Sequence, residues 1–545
     1  MNEYYNLGAF SRTVSTTSKD AQLWFDRGLC WNYAYHHEEA IECFKRALEH
    51  DPDCIMAHWG LAYASGPNYN KQWVDFEADE KQTCLAEANR LVEAAAGVLD
   101  QATDVERALV QALRTRYPDD PTIEDFGPWN DAFANAMREV YQSHVEDLDV
   151  CALFAESIMN RTPWQLWDLA TGQPAEGADT EEAIAVLENA FENLDGAIQH
   201  PGLLHMYIHL MEMSPHPERA LRAGDALMDL VPDAGHLQHM ATHIDVLCGE
   251  YQNVVHRNHL GIIADNRYLA EAGPFNFYTV YRCHNYHFKI YGAMFLGQRQ
   301  VALTTADELA ASLSPDVIEP MADWIEAFYP MKQHVLIRFG EWEYIKQQAL
   351  PENPQLYAFT LALIHYAKSV AHAATGDIPA AEAAREDYLA AKAAMPGTRT
   401  LFNNTCADIL AVAEAMLEGE LSYRKGDFEE AFAHLRRSVE LDDNLPYDEP
   451  WGWMQPTRHA LGALLLEQDR IEEAEAVYRA DLGFDNSLAR ACQHPGNVWS
   501  LHGLHECLDR LGRKKEAELL RPALDIALAR ADVKIEYSCF CRGMS

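Results

Sequence analysis

Residues 21–52 read AQLWFDRGLCWNYAYHHEEAIECFKRALEHDP. Two series run through the stretch at helical spacing, Trp24, Gly28 and Trp31 first, then Ala40, Phe44 and Ala47, with Pro52 behind them. At 3.6 residues per turn each series falls on one side of a helix. The turn and the start of the second helix fall around His37 and Glu38. The segment predicts two helices packed back to back, and most of the chain repeats the theme.

The same residues match the tetratricopeptide (TPR) pattern W-x2-L-G-x2-Y, then A-x3-F, then P, nearly position for position. Residue 21 is then position 1 of a 34-residue unit. Placing Ala220 at the repeat's alanine puts Pro232 at its proline, and His205 and His209 at positions 5 and 9. One period later, with Gly249-Glu250-Tyr251 as the turn, His236, His239 and His243 occupy positions 2, 5 and 9. Counting back from the turn at Gly297 puts His284 and His287 at positions 2 and 5.

In this pattern positions 4, 7, 8 and 11 pack, and positions 2, 5, 9 and 12 centre about 130° away. The histidines therefore lie off the packing stripe, on the side that lines the concave groove of a right-handed superhelix. With 24 histidines in 545 residues, the nine slots at positions 2, 5 and 9 of these repeats should hold less than one, and they hold seven.

Histidines four apart on one helical face present two imidazoles to a single ion. His205/His209 and His239/His243 are two such pairs on adjacent inner helices, and Glu212 at position 12 adds a carboxylate. Contacting helices run 8–10 Å apart, so both pairs can converge. The expected ligands are His205, His209, Glu212, His239, His243 and His287. His236 and His243 are seven residues apart, about 10 Å of helix rise, so not every histidine can ligate one ion. His236 and His284 are therefore expected in acid/base or supporting roles.

Imidazole-rich sites suit copper, iron, nickel or zinc, and copper or iron is expected before zinc. His37 and Glu38 resemble a metal motif but belong to a turn. His334, His502, Glu506 and Arg458 also reach groove positions, although a salt bridge is the commoner fate of an arginine. No Gly-rich phosphate loop, nucleophile elbow or Cys-x-x-Cys pair is present.

Composition narrows the partners. With 84 acidic and 43 basic residues the formal charge is −41, which repels phosphate backbones and anionic lipid surfaces. Nucleic acid and membrane are excluded as expected partners. No apolar run reaches the length of a membrane span, and the start MNEYYNLGAFSRTVSTTSKD has no signal-peptide pattern, so a cytoplasmic location is expected. The twelve cysteines form no tight framework and are expected to be mostly buried thiols. The close pair Cys539 and Cys541 reads as part of a tail packed on the last repeat.

Turn signals recur at Gly249, Gly297, Gly340, Gly376, Gly426, Gln468-Asp469-Arg470 and Gly512. They divide the chain into an N-terminal repeat (1–70), an irregular helical and loop segment (71–190), central histidine-rich repeats (191–350), C-terminal repeats (351–530) and a tail (531–545). From Gly66 to about Thr180 the segments GPNYNKQW, YPDDPTIEDFGPW and DLATGQPAEGADT carry helix breakers. A later loop, DDNLPYDEPWGWMQPTRH, reads as an inter-repeat plug or a lid.

The segments HMYIHLMEMSPHPERAL and GHLQHMATHIDVLCGEY are similar to a group of large microbial TPR proteins with an H-x3-H helix followed by an H-x2-H-M-x2-H-I helix. The resemblance extends to VSTTSKDAQLWFDRGLCWNYAYHHEEA and PNYNKQW. That group usually has Pro-Ser where this chain has Ala241-Thr242, a departure that touches no candidate ligand. The resemblance implies an all-α, TPR-like solenoid and carries no reaction with it.

The expected function is that of a metal-dependent enzyme, redox before hydrolytic, acting on a small-molecule substrate at a mono- or dinuclear histidine centre. The alternative is a TPR scaffold that grips a peptide or protein partner. Grooves that hold acidic peptide tails use Lys and Arg, whereas the central slots here are His with one Glu.

Overall fold

A computed structural model describes residues 4–120, 122–485 and 487–542. Nearly every element is a helix, and the described strands are two short antiparallel hairpins, Trp167–Asp168 with Gln173–Pro174 and Thr400–Leu401 with Asn404–Thr405. The chain forms two compact units, residues 1–244 and 245–545. No described helix is long and apolar enough to cross a membrane.

The first unit opens with α1 (Lys19–Tyr33), α2 (His37–His50) and α3 (Ile55–Ala64). Ser18 starts α1 by accepting a hydrogen bond from the Ala21 N–H at 3.2 Å. Phe44 of α2 interlocks the three. A Cβ on Gly28 of α1 or on Gly60 of α3 would lie 2.6 Å from its ring, so the bare glycines let the ring touch both neighbouring backbones. This large-into-small packing is what the repeat pattern encodes, and it makes the fold TPR-like.

The stretch between the N-terminal repeat and the histidine helices is more helical than its breakers suggest. It holds α4 (Ala78–Gly97), α5 (Asp104–Leu113), α6 (Gly127–Ser143), α7 (Leu148–Met159) and α8 (Thr180–Asn193). The breakers sit in the connections. The helices α9 (Pro201–Glu212), α10 (Leu221–Leu227) and α11 (Gly235–Cys248) follow, and the division between the units falls within α11.

The start of α9 is set by its neighbours. His200 caps it by accepting from the Leu203 N–H at 3.2 Å, Pro201 occupies the first turn, and the other His200 ring nitrogen lies 3.1 Å from Asp149 of α7. Asp149 also accepts from the Tyr33 hydroxyl at 2.7 Å and from Arg12. Gly202 lets the Tyr33 ring lie directly on α9, because a Cβ there would come within 2.6 Å of it. These contacts bring the end of α1 onto α9.

The second unit begins with α12 (Tyr251–Ala272), α13 (Tyr278–Leu296) and α14 (Arg299–Ser312). Later helix pairs are Ala358–Ala374 with Ile378–Ala394, Cys406–Lys425 with Phe428–Asp443, Thr457–Glu467 with Ile471–Asp481, and Val498–Arg510 with Lys514–Arg530. The expected turn points are where the backbone reverses. Gly376, Gly426 and Gly512 have φ of 82°, 89° and 71°, a conformation that glycine adopts without cost, and Asp469 takes the equivalent place at 57°.

The loop with two tryptophans buries both of them in this unit, and the Trp453 ring lies 4.9 Å from His334 and 5.6 Å from Tyr366. The tail packs on the last pairs. Ser538 donates to the His459 carbonyl at 3.0 Å, Arg338 donates to the Ser538 carbonyl at 3.2 Å, and Cys539 and Cys541 are joined as a disulfide.

Candidate metal centre

His205 and His209, one turn apart on α9, meet His236 at the start of α11. One ring nitrogen from each lies within 4.8 Å of the other two. Three nitrogens bound to one ion at about 2.1 Å would be about 3.4 Å apart, so modest side-chain rotation closes the set. Their ring centroids are separated by 4.8 Å (His205–His209), 5.0 Å (His205–His236) and 6.5 Å (His209–His236).

Neighbouring groups fix two of the tautomers. A backbone carbonyl only accepts, so the His205 Nδ1–H donates to the Tyr33 carbonyl at 2.6 Å, and its Nε2 carries the lone pair. The carboxylate of Glu212 accepts from the His209 Nδ1–H at 3.0 Å, which leaves the His209 Nε2 as a lone pair too. Both Nε2 atoms are buried without a hydrogen-bond partner. Burial holds all three imidazoles well below the ordinary histidine pKa, so they are neutral near pH 7 and able to ligate.

Glu212 uses its second oxygen on another residue. It accepts from the His243 Nδ1–H at 2.7 Å, which leaves the His243 Nε2 to accept from the His239 Nε2–H at 2.8 Å. His209, Glu212, His243 and His239 thus form one hydrogen-bonded chain. Burial raises the Glu212 pKa, and the facing His243 opposes that rise without cancelling it.

Aromatic rings from segments distant in sequence enclose the three histidines. Tyr35, in the turn between α1 and α2, stands 4.5 Å from the His205 ring, 5.9 Å from His209 and 5.8 Å from His236. Tyr69 lies 4.8 Å and Trp164 5.8 Å from the His209 ring. Tyr35 and Trp164 both have positive φ, 53° and 60°. Such strain in bulky residues persists only where the surroundings enforce it, and here both face the same cluster.

The register reading put these histidines on a groove-lining stripe. In the structure each of the seven is buried, with His284 the most accessible at 7%. At His205, His209 and His236 the cause is the cover of Tyr35, Tyr69 and Trp164, which no repeat pattern encodes. The structure brings together His205, His209 and His236, joins Glu212 to His209 and His243, and pairs His239 with His243.

His284 and His287 lie on α13 of the second unit. The His284 ring faces Phe288 at 5.5 Å and Phe402 at 4.8 Å. His287 stands 5.5 Å from Phe328, and burial lowers its pKa to about 3, as it does for His334. Arg458 is ion-paired with Asp443, and Glu506 with Arg542 at 2.7 Å, so neither is left for a groove ligand. His37 anchors a loop by accepting from the Asn68 amide at 3.4 Å.

Sequence reasoning passed over Tyr35, Tyr69 and Trp164. Tyr69 stands inside GPNYNKQW, a segment noticed for its helix breakers and through resemblance, with nothing to mark the tyrosine itself. Trp164 follows Pro163 in a stretch with no periodicity to mark it.

No family model and no curated protein sequence matches the chain. Among solved structures it is similar to that of Naa15/Naa10 bound to HypK-THB, at 13% identity and TM-score 0.23, covering 94% of this chain and 70% of that one. It is also similar to the APC/C hetero-tetramer Cut9-Hcn1 at 12% identity and TM-score 0.30, covering 91% and 78%. The human IFIT1 dimer with m7Gppp-AAAA matches at 10% identity and TM-score 0.32, covering 95% and 92%.

Proposed function

We propose that His205, His209 and His236 hold one transition-metal ion and that the protein is a metal-dependent enzyme acting on a small molecule. The observation that carries the proposal is the agreement of geometry with tautomer. Three buried ring nitrogens converge, and the Tyr33 carbonyl and Glu212 orient two of them with their lone pairs inward. Three protein ligands leave a coordination position open, the arrangement of catalytic rather than structural sites. Glu212 is then an orienting carboxylate behind a ligand. His243 and His239 extend that chain and can pass a proton along it.

Among the metals that imidazole suits we favour copper or iron and redox chemistry, with hydrolytic zinc on three histidines and water as the alternative. The alternative, a groove that grips a peptide through these histidines, is disfavoured by their burial. Elemental analysis of protein purified without a histidine tag tests the metal, with copper or iron near one equivalent expected. Protein loaded anaerobically with Cu(I) or Fe(II) should change its visible spectrum in air. A protein that takes up no transition metal refutes the proposal, and a colourless zinc protein that hydrolyses its substrate anaerobically refutes the redox half.

A further inference from the structure

A cavity of about 260 Å³ opens in the first unit beside the covered histidines. Pro67, Asn68 and Pro163 are part of its wall. The next residues in each segment are Tyr69 and Trp164, whose rings lie 5.2 Å apart and stand against His209. The cavity and the proposed metal centre are therefore separated by two short loops. The loop carrying Tyr69 is a tight one, with Asn68 Oδ1 accepting from the N–H groups of Asn70 at 2.9 Å and Lys71 at 2.8 Å.

The wall has a definite chemistry. Trp73 and Phe126 are stacked at 4.5 Å and continue into Phe133, all nearly buried. Arg116, 2% exposed, lines the same space. Its Nη1 and Nη2 donate to the carbonyls of Tyr63 at 3.4 Å and Pro67 at 2.5 Å, and among the described residues no carboxylate pairs with it directly. The indole N–H of Trp73 is buried with no acceptor. The buried Glu156, whose carboxyl accepts from the Tyr63 hydroxyl, offsets the Arg116 charge only without direct contact, and that cation beside an unsatisfied indole donor favours an anionic acceptor. The acidic residues of the wall, Glu124 and Asp125, are exposed, which puts negative charge at the solvent side and disfavours a ligand with two anionic groups.

From this we infer that the cavity binds a small aromatic monocarboxylate, the substrate class of the adjoining centre. Arg116 and the Trp73 N–H hold the carboxylate, and the wall of Trp73, Phe126 and Phe133 holds the ring. At about 260 Å³ the cavity is just below the usual range for ligand sites, which limits the occupant to a single-ring molecule. The link to catalysis rests on the metal-centre reading. The binding itself does not.

Benzoate titrated into the full-length protein, followed by calorimetry and tryptophan fluorescence, tests the inference. Benzoate should saturate one site, and benzamide, of the same shape without the charge, should bind about tenfold more weakly. Arg116→Gln should weaken benzoate about tenfold or more. Because Arg116 also caps α3, Trp73→Phe supplies an independent arm that keeps the ring and removes the N–H, with a loss of about fivefold.

Equal affinity for benzamide and benzoate, no saturable benzoate binding, or full affinity in Trp73→Phe would each overturn the inference. Selective benzoate binding by a protein that takes up no metal would leave the cavity standing and the metal reading fallen. Metal uptake without benzoate selectivity would do the reverse.

Discussion

Glu212→Gln changes the size of one buried side chain very little and its hydrogen bonding completely. Both oxygens of Glu212 accept, from His209 at 3.0 Å and from His243 at 2.7 Å. Glutamine offers one acceptor and one donor group. If the amide nitrogen faces His209, that ring must put its proton on Nε2, the atom aimed at the ion. If it faces His243, the His243 proton moves to Nε2, where it meets the Nε2–H of His239 across 2.8 Å.

Either orientation leaves one histidine mispaired in a site that water does not reach. Loss of such an orienting partner costs about 10–100-fold in metal affinity. That range corresponds to about 1.4–2.7 kcal/mol. The first orientation removes a ligand's lone pair and falls at the upper end. The assay is competition against a chelator of known affinity with Co(II) as a spectroscopic probe. A weaker constant and an altered Co(II) spectrum are expected, with a modest fall in the thermal transition of the metal-free protein from the mispaired group. If Glu212→Gln binds Co(II) as tightly as the parent and with the same spectrum, the tautomer argument is wrong.

Replacement of His209 or His236 with alanine should abolish stoichiometric metal binding while circular dichroism stays helical. Both side chains are buried, so a fall in melting temperature of several degrees should accompany the loss. Phe44→Ala should destabilise the first unit by about 3–5 kcal/mol in urea unfolding, because the ring fills the space between Gly28 and Gly60. A cost under about 1 kcal/mol would mean the interlock carries little.

Buried histidines should destabilise the metal-free protein in acid, against the opposite pull of buried carboxyls such as Asp265 and Asp442, raised to about 7 and 8. Burial lowers His36, His37, His287 and His334 to about 3 in the fold, whereas the unfolded chain protonates them near 6.5. The unfolded state then binds more protons below pH 6.5. Their contribution is full above that pH and falls as pH drops toward 3, by about 1.4 kcal/mol per pH unit for each such histidine. If His334→Gln leaves the pH dependence of the urea midpoint between pH 6.5 and 5 the same as in the parent, this reasoning is wrong.

Much of the local structure of both units was legible in the chain itself. Helix pairs, their turns at Gly376, Gly426, Asp469 and Gly512, and the spacing of His205 and His209 follow from periodicity, because helix geometry depends on residues three and four apart. The short-range pattern also placed Glu212 on the stripe with His209. It could not show that the carboxylate reaches His243, 31 residues on, because that contact depends on how α9 meets α11.

Tertiary structure alone decided which nitrogens face inward and what covers them. The carbonyl that sets the His205 tautomer belongs to Tyr33, 172 residues away, and arrives because Gly202 admits the Tyr33 ring. The rings over His209 come from Tyr69 and Trp164, in loops whose sequence has no period. Burial follows from that long-range cover. Periodicity assigns a residue to a face of its own helix, and whether that face meets solvent or another part of the chain is settled only when the pieces pack.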